Sequence, residues 1–252
     1  MDLAGTALLA AAGLAAGTVN AIAGGGSLIT FPALIAAGLA PVPANVTNSV
    51  AVSPGYVGSV VGSRADLPRE RVRALVPIAV LGGFAGCVLL LATPQRAFEV
   101  VVPFLVLGAT AVLAFQDRLR RLVGHPRHMA PRRQTTALYA LTAAGGVYGG
   151  YFGAALGVML VAGLALLLDE RLARVNALKN LLSAVIGAAT VVAYALFGPV
   201  DWVGVAVIAP ATLLGGYAGA RLARRLPGVV LKAVIVTAGT VVGMVLLWRA
   251  FS

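Results

Sequence analysis

Long apolar runs separated by short polar turns dominate the chain. Leu3–Ile22, Leu75–Ala92, Val100–Phe115 and Val229–Trp248 each match the roughly 20 apolar residues that cross a ~30 Å hydrocarbon core. One apolar stretch is interrupted. In "NAIAGGGSLITFP" (20–32) three consecutive glycines fall inside it, each costing a helix roughly 1 kcal/mol relative to Ala. In lipid, every backbone group released by such a break needs a partner within the protein. A second stretch, 136–168, divides into Thr136–Gly149 and Gly153–Leu168, both short for a full crossing. The pattern therefore predicts full spans mixed with broken ones.

Composition agrees with a membrane protein. The 252 residues are 60% hydrophobic and 11% charged, with a mean hydropathy of +0.97, whereas soluble domains carry about 25% charged residues. Asp2 is the only charge flanking the first run, so no basic region marks a signal peptide. The single cysteine, Cys87, gives no disulfide framework or metal cluster. The net charge of +11 comes from Arg-rich loops between spans. It reads as topology and headgroup contact with the lipid bilayer, not as a nucleic-acid surface.

A repeat organises the chain. "PIAVLGGFAG" at 77–86 returns as "PATLLGGYAG" at 210–219, an offset of 133 that also carries Pro94 onto Pro227. Upstream, an offset of 129 carries Gly17 onto Gly146, Gly24 onto Gly153, Ala44 onto Ala173, Val46 onto Val175 and Gly58 onto Gly187. The polar turns Arg64–Arg73 and Gly198–Asp201 absorb the difference. The chain divides into a first membrane repeat (1–115), a basic linker (116–134) and a second repeat (135–252), together one transport domain. Repeats of this kind build many secondary transporters.

Loop charge orients the copies. Basic residues number four in 63–73, six in 116–134, three in 169–179 and four in 221–232, against none in 38–44 and 198–202. The positive-inside rule puts the four rich loops in the cytoplasm. Both flanks of 136–168 are then cytoplasmic, so this segment enters and returns on one side. Its counterpart, 3–38, broken at Gly24–Gly26, returns to the outside. The expected fold is an all-α integral membrane protein of two inverted repeats, each a broken re-entrant helical hairpin plus three transmembrane helices. The linker is cytoplasmic and both termini are outside, in a multi-pass protein of the cell inner (plasma) membrane. The competing reading has two long, kinked single spans.

At each expected tip a second half-helix starts afresh, from Ser27 in one copy and around Ala154 in the other. Its first N–H groups have no intrahelical partner, and the positive end of the dipole lies behind them. That makes an anion-binding corner, which glycines let a ligand approach. Carbonyl ends of the preceding half-helices offer a cation site instead. Asn20, Gly24, Gly25, Gly26 and Ser27 form the first tip, with Tyr151 and Gly153 at the second. Close packing is the competing role of glycines in membranes, and it is the favoured one for Gly82–Gly83 and Gly215–Gly216. The span after each hairpin adds Thr47, Asn48 and Ser49 in one copy. In the other, Asn176, Lys179, Asn180 and Ser183 share one helix face by their spacing. A polar stripe in a membrane helix faces protein or water, not lipid. Lys179 either counters an anionic substrate or snorkels at the boundary.

No Asp or Glu lies in the interior of a span, so the usual proton relay is missing. No Walker motif, zinc motif or nucleophile–base arrangement appears, which argues against an ATP-driven pump or an enzyme. The segments "GTVNAIAGGGSLITFPALIAAGL" and "ANVTNSVA", then "GGYFGAALGVML" and "RVNALKNLLSAVIG", resemble the sulfite exporter TauE/SafE family of membrane transporters. The resemblance spans nearly the whole chain. It implies transport of sulfur-containing anions and organic acids such as sulfite, sulfoacetate and thiosulfate. It also implies that Gly24–Gly26 and Thr47–Ser49 occupy the family's glycine-tip and following-helix motifs. The second copy departs from the pattern: "GAALG" (153–157) replaces a triple glycine, and Lys179 stands in place of a small hydroxyl residue.

The sequence thus points to a secondary transporter for a small anionic substrate, a sulfur oxyanion or organosulfonate, working by alternating access. No cofactor is expected. H+ or Na+ is the candidate coupling ion, and the oligomeric state stays open. An anion channel, a carrier of a non-sulfur organic acid and a packing-only membrane protein are the alternatives.

Overall fold

A backbone in hydrocarbon satisfies its own polar groups only as helix or closed barrel, and Ala, Leu, Val and Gly fill these runs. The computed structural model describes residues 3–22, 25–115, 118, 130–222 and 228–251. Among them, ten α-helices follow one another: α1 (Leu3–Ile22), α2 (Ser27–Ala36), α3 (Pro41–Ser63), α4 (Arg69–Ala92), α5 (Gln95–Ala114), α6 (Pro131–Tyr151), α7 (Leu156–Leu167), α8 (Leu172–Phe197), α9 (Trp202–Leu222) and α10 (Gly228–Phe251). A single 3-10 turn, Arg64–Asp66, follows α3. The protein is an all-α membrane protein. Both expected breaks occur, after Ile22 and after Tyr151. The second half-helix of the later pair starts at Leu156, slightly beyond the expected Ala154. Gly153 (φ +73) and Ala155 (φ +56) adopt left-handed backbone there and delay the helix. Gly24, Pro227 and most of the linker 116–134 lie outside the described residues, as do Met1, Asp2 and Ser252.

Stretches of α1, α4, α5 and α8 are long and apolar enough to cross a bilayer. With 23 residues, α3 also has the length, about 35 Å. Its Asn45, Thr47, Asn48 and Ser53 are buried against protein, so its polarity does not face lipid.

Contacts fix the directions of the helices. Gly13 of α1 packs on Ile208 and Ala211 of α9, and Gly17 on Thr212 and Gly216, so α1 and α9 run parallel. Thr47 lies against Gly204 and the Thr212 hydroxyl donates to the Ala51 carbonyl at 3.2 Å, so α3 and α9 are parallel too. Thus α1 and α3 point the same way, with α2 between them. In the second half, Gly82 of α4 meets Ala143 and Gly146 of α6, and Gly86 meets Val147 and Gly150, again parallel. By contrast, α3 and α8 are antiparallel: Val46 lies at Gly198, Ser53 at Gly187, and Ser63 at Asn180. The α5–α10 pair is antiparallel as well, with Thr110 at Gly239 and Leu107 at Gly243.

Packing between the halves is exchanged. Helix α1 packs on α9 and α4 on α6, α3 on α8 and α5 on α10. By the repeat offsets Gly82 and Gly146 of one contact correspond to Gly215 and Gly17 of the other, where Gly215 lies on Leu14 and Gly17 on Thr212 and Gly216. A Cβ on Gly82 would lie 2.9 Å from the Ala143 carbonyl oxygen, and one on Gly17 would overlap the Thr212 carbonyl. Small residues let membrane helices approach this closely. Gly82 and Gly215 are therefore packing residues.

Candidate functional site

The two breaks meet. Phe31 of α2 stacks edge-on against Phe152, just past the end of α6, at 5.5 Å between ring centroids. Beside Phe152 lies a cavity of about 20 Å³, room for little more than one water. Ser27 opens α2 into it, and Phe152, Gly153 and Leu156 close it from the second tip. Helix α3 contributes Ser49, Ser53 and Tyr56, and α8 contributes Ser183, Gly187 and Thr190.

The chemistry is that of hydroxyl and backbone donors. No charged side chain lines the cavity among the described residues. Neither half-helix start carries a side-chain cap, Gly26 preceding α2 and Ala155 preceding α7. The N–H groups of Gly26, Leu28, Ile29, Leu156 and Val158 already donate to Asn20 Oδ1 or to carbonyls of the preceding turn, which leaves those of Ser27 and Gly157 at the positive dipole ends. The Tyr56 hydroxyl lies within reach of Ser27. Ser53 donates to the Ser49 carbonyl at 2.7 Å and lies 3.4 Å from the Gly187 carbonyl. Ser183 is 2% exposed, yet its Oγ has no hydrogen-bond partner. Buried polar atoms are normally paired, so this hydroxyl points to an occupant of the cavity.

A shell of hydrogen bonds positions the tips. The Gly26 N–H donates to Asn20 Oδ1 at 2.8 Å, folding α1 onto the start of α2. The Tyr148 hydroxyl donates to the Ala154 carbonyl at 2.6 Å, closing the second turn. Asn45 Nδ2 donates to the Tyr151 carbonyl at 2.8 Å, and the Tyr194 hydroxyl donates to the Gly150 carbonyl. Thr30 donates to Asn48, binding α2 to α3.

Of the residues expected at the site, Ser27, Ser49 and Gly153 line the cavity. Asn20 and Asn48 brace the first hairpin from behind. Gly25 is buried beside Leu113, and Gly26 presses on the Ala16 carbonyl of α1. Tyr151 contributes its carbonyl to Asn45 and its ring to Phe98, 5.8 Å away. Thr47 is fully buried and accepts the Asp201 N–H at 2.9 Å, away from the cavity. Asn176 is exposed, while Lys179 is buried and Asn180 turns toward α3, bonding the Ser59 carbonyl and Ser63 hydroxyl. Gly24 lies outside the described residues. Ser53, Tyr56 and Thr190 complete the lining without having been expected there. Their signal was the hydroxyl spacing on α3: Ser49, Ser53, Tyr56, Ser59 and Ser63 recur at three- and four-residue steps, one helix face.

Comparison with known proteins points to membrane transporters. The chain is 29% identical over 221 residues to the probable membrane transporter protein YfcA of Escherichia coli K12, covering 84% of this chain and 76% of that protein. It is 26% identical over 233 residues to the probable membrane transporter protein ORF9 of a Sinorhizobium species, covering 91% and 87%. A probable membrane transporter protein of Haemophilus influenzae is 27% identical over 230 residues, covering 86% and 84%. No solved structure matches the chain. The family described as "Sulfite exporter TauE/SafE" matches residues 9–246, and the chain belongs to that family of membrane transporters.

Proposed function

We propose that the protein carries a small singly charged anion, a sulfur oxyanion or organosulfonate, across the cytoplasmic membrane by alternating access at the cavity between the two tips. The unpartnered Ser183 hydroxyl in a cavity facing two uncapped half-helix starts carries this reading. Each helix start contributes roughly half a positive charge. Two of them offset about one negative charge, and with no Lys or Arg in the lining a dianion would be poorly compensated. Sulfonate and hydrogen sulfite oxygens suit several hydroxyl and N–H donors at once. The cavity of about 20 Å³ is too small for such an anion, so the tips and the α3–α8 walls move apart to load one.

Inverted repeats supply the two forms. The antiparallel α3–α8 and α5–α10 pairs and the exchanged packing support an inverted arrangement with both broken segments re-entrant and both termini outside. H+ or Na+ is the coupling ion to be separated by imposing each gradient alone.

Thermal unfolding of purified protein against sulfite, thiosulfate, sulfoacetate, taurine and carboxylates tests the site, since a ligand of the folded state raises the melting point. The expected result is stabilisation by hydrogen sulfite above the dianions thiosulfate and sulfoacetate and above carboxylates. Stabilisation by carboxylates alone would favour an organic-acid carrier, and none by any anion would remove the site. In liposomes preloaded with unlabelled anion, a carrier transiently accumulates labelled anion and a channel does not.

A further inference from the structure

From the cavity, one face of α3 and one face of α8 continue as a polar seam toward the Arg64–Asp66 turn. On α8 the facing positions are Thr190, Gly187, Ser183 and Asn180, again at three- and four-residue steps. The two faces touch along their length. Gly187 lies against Ser53 and Tyr56, and Asn180 Nδ2 donates to the Ser59 carbonyl at 3.3 Å and the Ser63 hydroxyl at 3.1 Å. The serine hydroxyls bond the preceding turn of their own helix, Ser59 to Gly55 and Ser63 to Ser59. Asn180 is thus the side chain that ties α3 to α8 at this end.

The seam ends among charges of both signs, where Arg64 shares its turn with Asp66 and Arg174 pairs with Glu170 at 3.2 Å. The 3-10 turn packs on α8 and brings exposed Arg64, while Arg171 and Arg174 are exposed at the start of α8. Midway along sits the unpartnered Ser183 Oγ, 2% exposed. A dry packing seam has no need of that hydroxyl, whereas a path that is intermittently occupied does.

Resting on the central cavity as the substrate site, we infer that the α3–α8 seam is the half of the anion's route leading to the face of the Arg64–Asp66 turn, and that Asn180 is the latch closing it. When the latch opens, Ser59, Ser63 and Ser183 offer a passing anion a ladder of hydroxyls.

The test is thiol accessibility, which needs no knowledge of the substrate. With buried Cys87 replaced by Ala, Ser59→Cys, Ser53→Cys and Val57→Cys are made singly. Val57 is 60% exposed, lies two residues from Ser59 and so on the other side of α3 from it, and serves as the control outside the seam. An impermeant anionic methanethiosulfonate is applied to inside-out vesicles, with a cationic analogue in parallel. The expected result is that Ser59→Cys reacts several-fold faster than Val57→Cys, and faster with the anionic reagent. Adding Asn180→Ala removes two hydrogen bonds of the closed state and raises the rate roughly tenfold. Ser59→Cys reacting no faster than Val57→Cys, with Asn180 present or absent, would overturn the route. A reaction indifferent to Asn180 would overturn the latch. Methanesulfonate, an anion that does not react with the reagent, slowing Ser53→Cys supports both site and route. Labelling along the seam that no anion slows would remove the central site and leave the route standing.

Discussion

The Gln134 side-chain amide, in the first turn of α6, donates to the Leu167 carbonyl at the end of α7. Thirty-three residues apart in sequence, these two positions sit side by side, so the chain goes down α6 and comes back up α7. A straight crossing would place them at opposite faces of a bilayer, ~30 Å apart. Glu170, just beyond, reaches Arg71 at the start of α4 at 4.0 Å and Arg174 at 3.2 Å. The turn after α7 therefore shares a face with the turn after α3. At the other face, Thr47 near the start of α3 holds Asp201 before α9.

This pairing predicts which turns share a side. A cysteine at Asp169 should label from the same side as one at Asp66, and both opposite to cysteines at Thr93 and Pro199. A reporter fused after Phe251 should read outside. Asp169 labelling with Thr93, or an inside reporter, would return α6–α7 or the C-terminus to the single-span alternative.

Asn45 gives a second prediction. The last carbonyls of a helix have no intrahelical partner, and Asn45 caps that of Tyr151 from 106 residues away. Asn45→Ala leaves this carbonyl unsatisfied beside the tip, costing about 1–3 kcal/mol. Asn45→Asp, which keeps the shape and cannot donate, should lose at least as much. Both variants should melt several degrees below the parent in detergent and transport more slowly. Parental melting in both would mean the tip does not depend on this cap.

The tips were legible because an interruption inside an apolar run is conspicuous: three glycines at one, and loop charges flanking a too-short segment at the other. Pro and GG[F/Y]AG recurring at fixed spacing are the reason to expect a repeat. The cavity lining was harder to read. Ser49, Ser53, Ser59 and Ser63 each bond the carbonyl four residues back, which any serine in a membrane helix does, so polarity alone does not separate a site from a satisfied hydroxyl. Their partners on α8 lie more than 110 residues away, and only the antiparallel contact selects Ser183 and Thr190 over Asn176. Asn176 shares the helix with Lys179 and Ser183, but near the start of α8 it is exposed.

Glycine packing separates positions that look alike in sequence. A methyl at Gly150 would overlap the Gly83 carbonyl and stand 3.0 Å from the Cys87 nitrogen, whereas Gly108 of α5 faces open space. Gly150→Ala should cost about 1–3 kcal/mol through overpacking. Gly108→Ala should be neutral or gain up to about 1 kcal/mol from helix propensity. Detergent melting curves of the two variants check this, and equal melting points would refute the close α4–α6 approach.

Ser183 separates binding from stability. Because its Oγ is buried without a partner, removing it costs the empty protein no hydrogen bond and relieves a desolvated group. Ser183→Ala should melt at or slightly above the parent without ligand, a gain of at most about 1–3 kcal/mol. In the loaded protein the same hydroxyl donates to an anion, and a hydrogen bond to a charged group is worth about 1.5–3 kcal/mol. Anion affinity should therefore fall roughly 10- to 150-fold, read from the anion dependence of the melting shift and from the flux half-saturation. Ser183→Thr keeps the donor and should retain most of the affinity if the added methyl fits. Opposite signs for empty stability and anion affinity are the signature of a binding hydroxyl. A fall in both together would make Ser183 a structural residue of the α3–α8 contact.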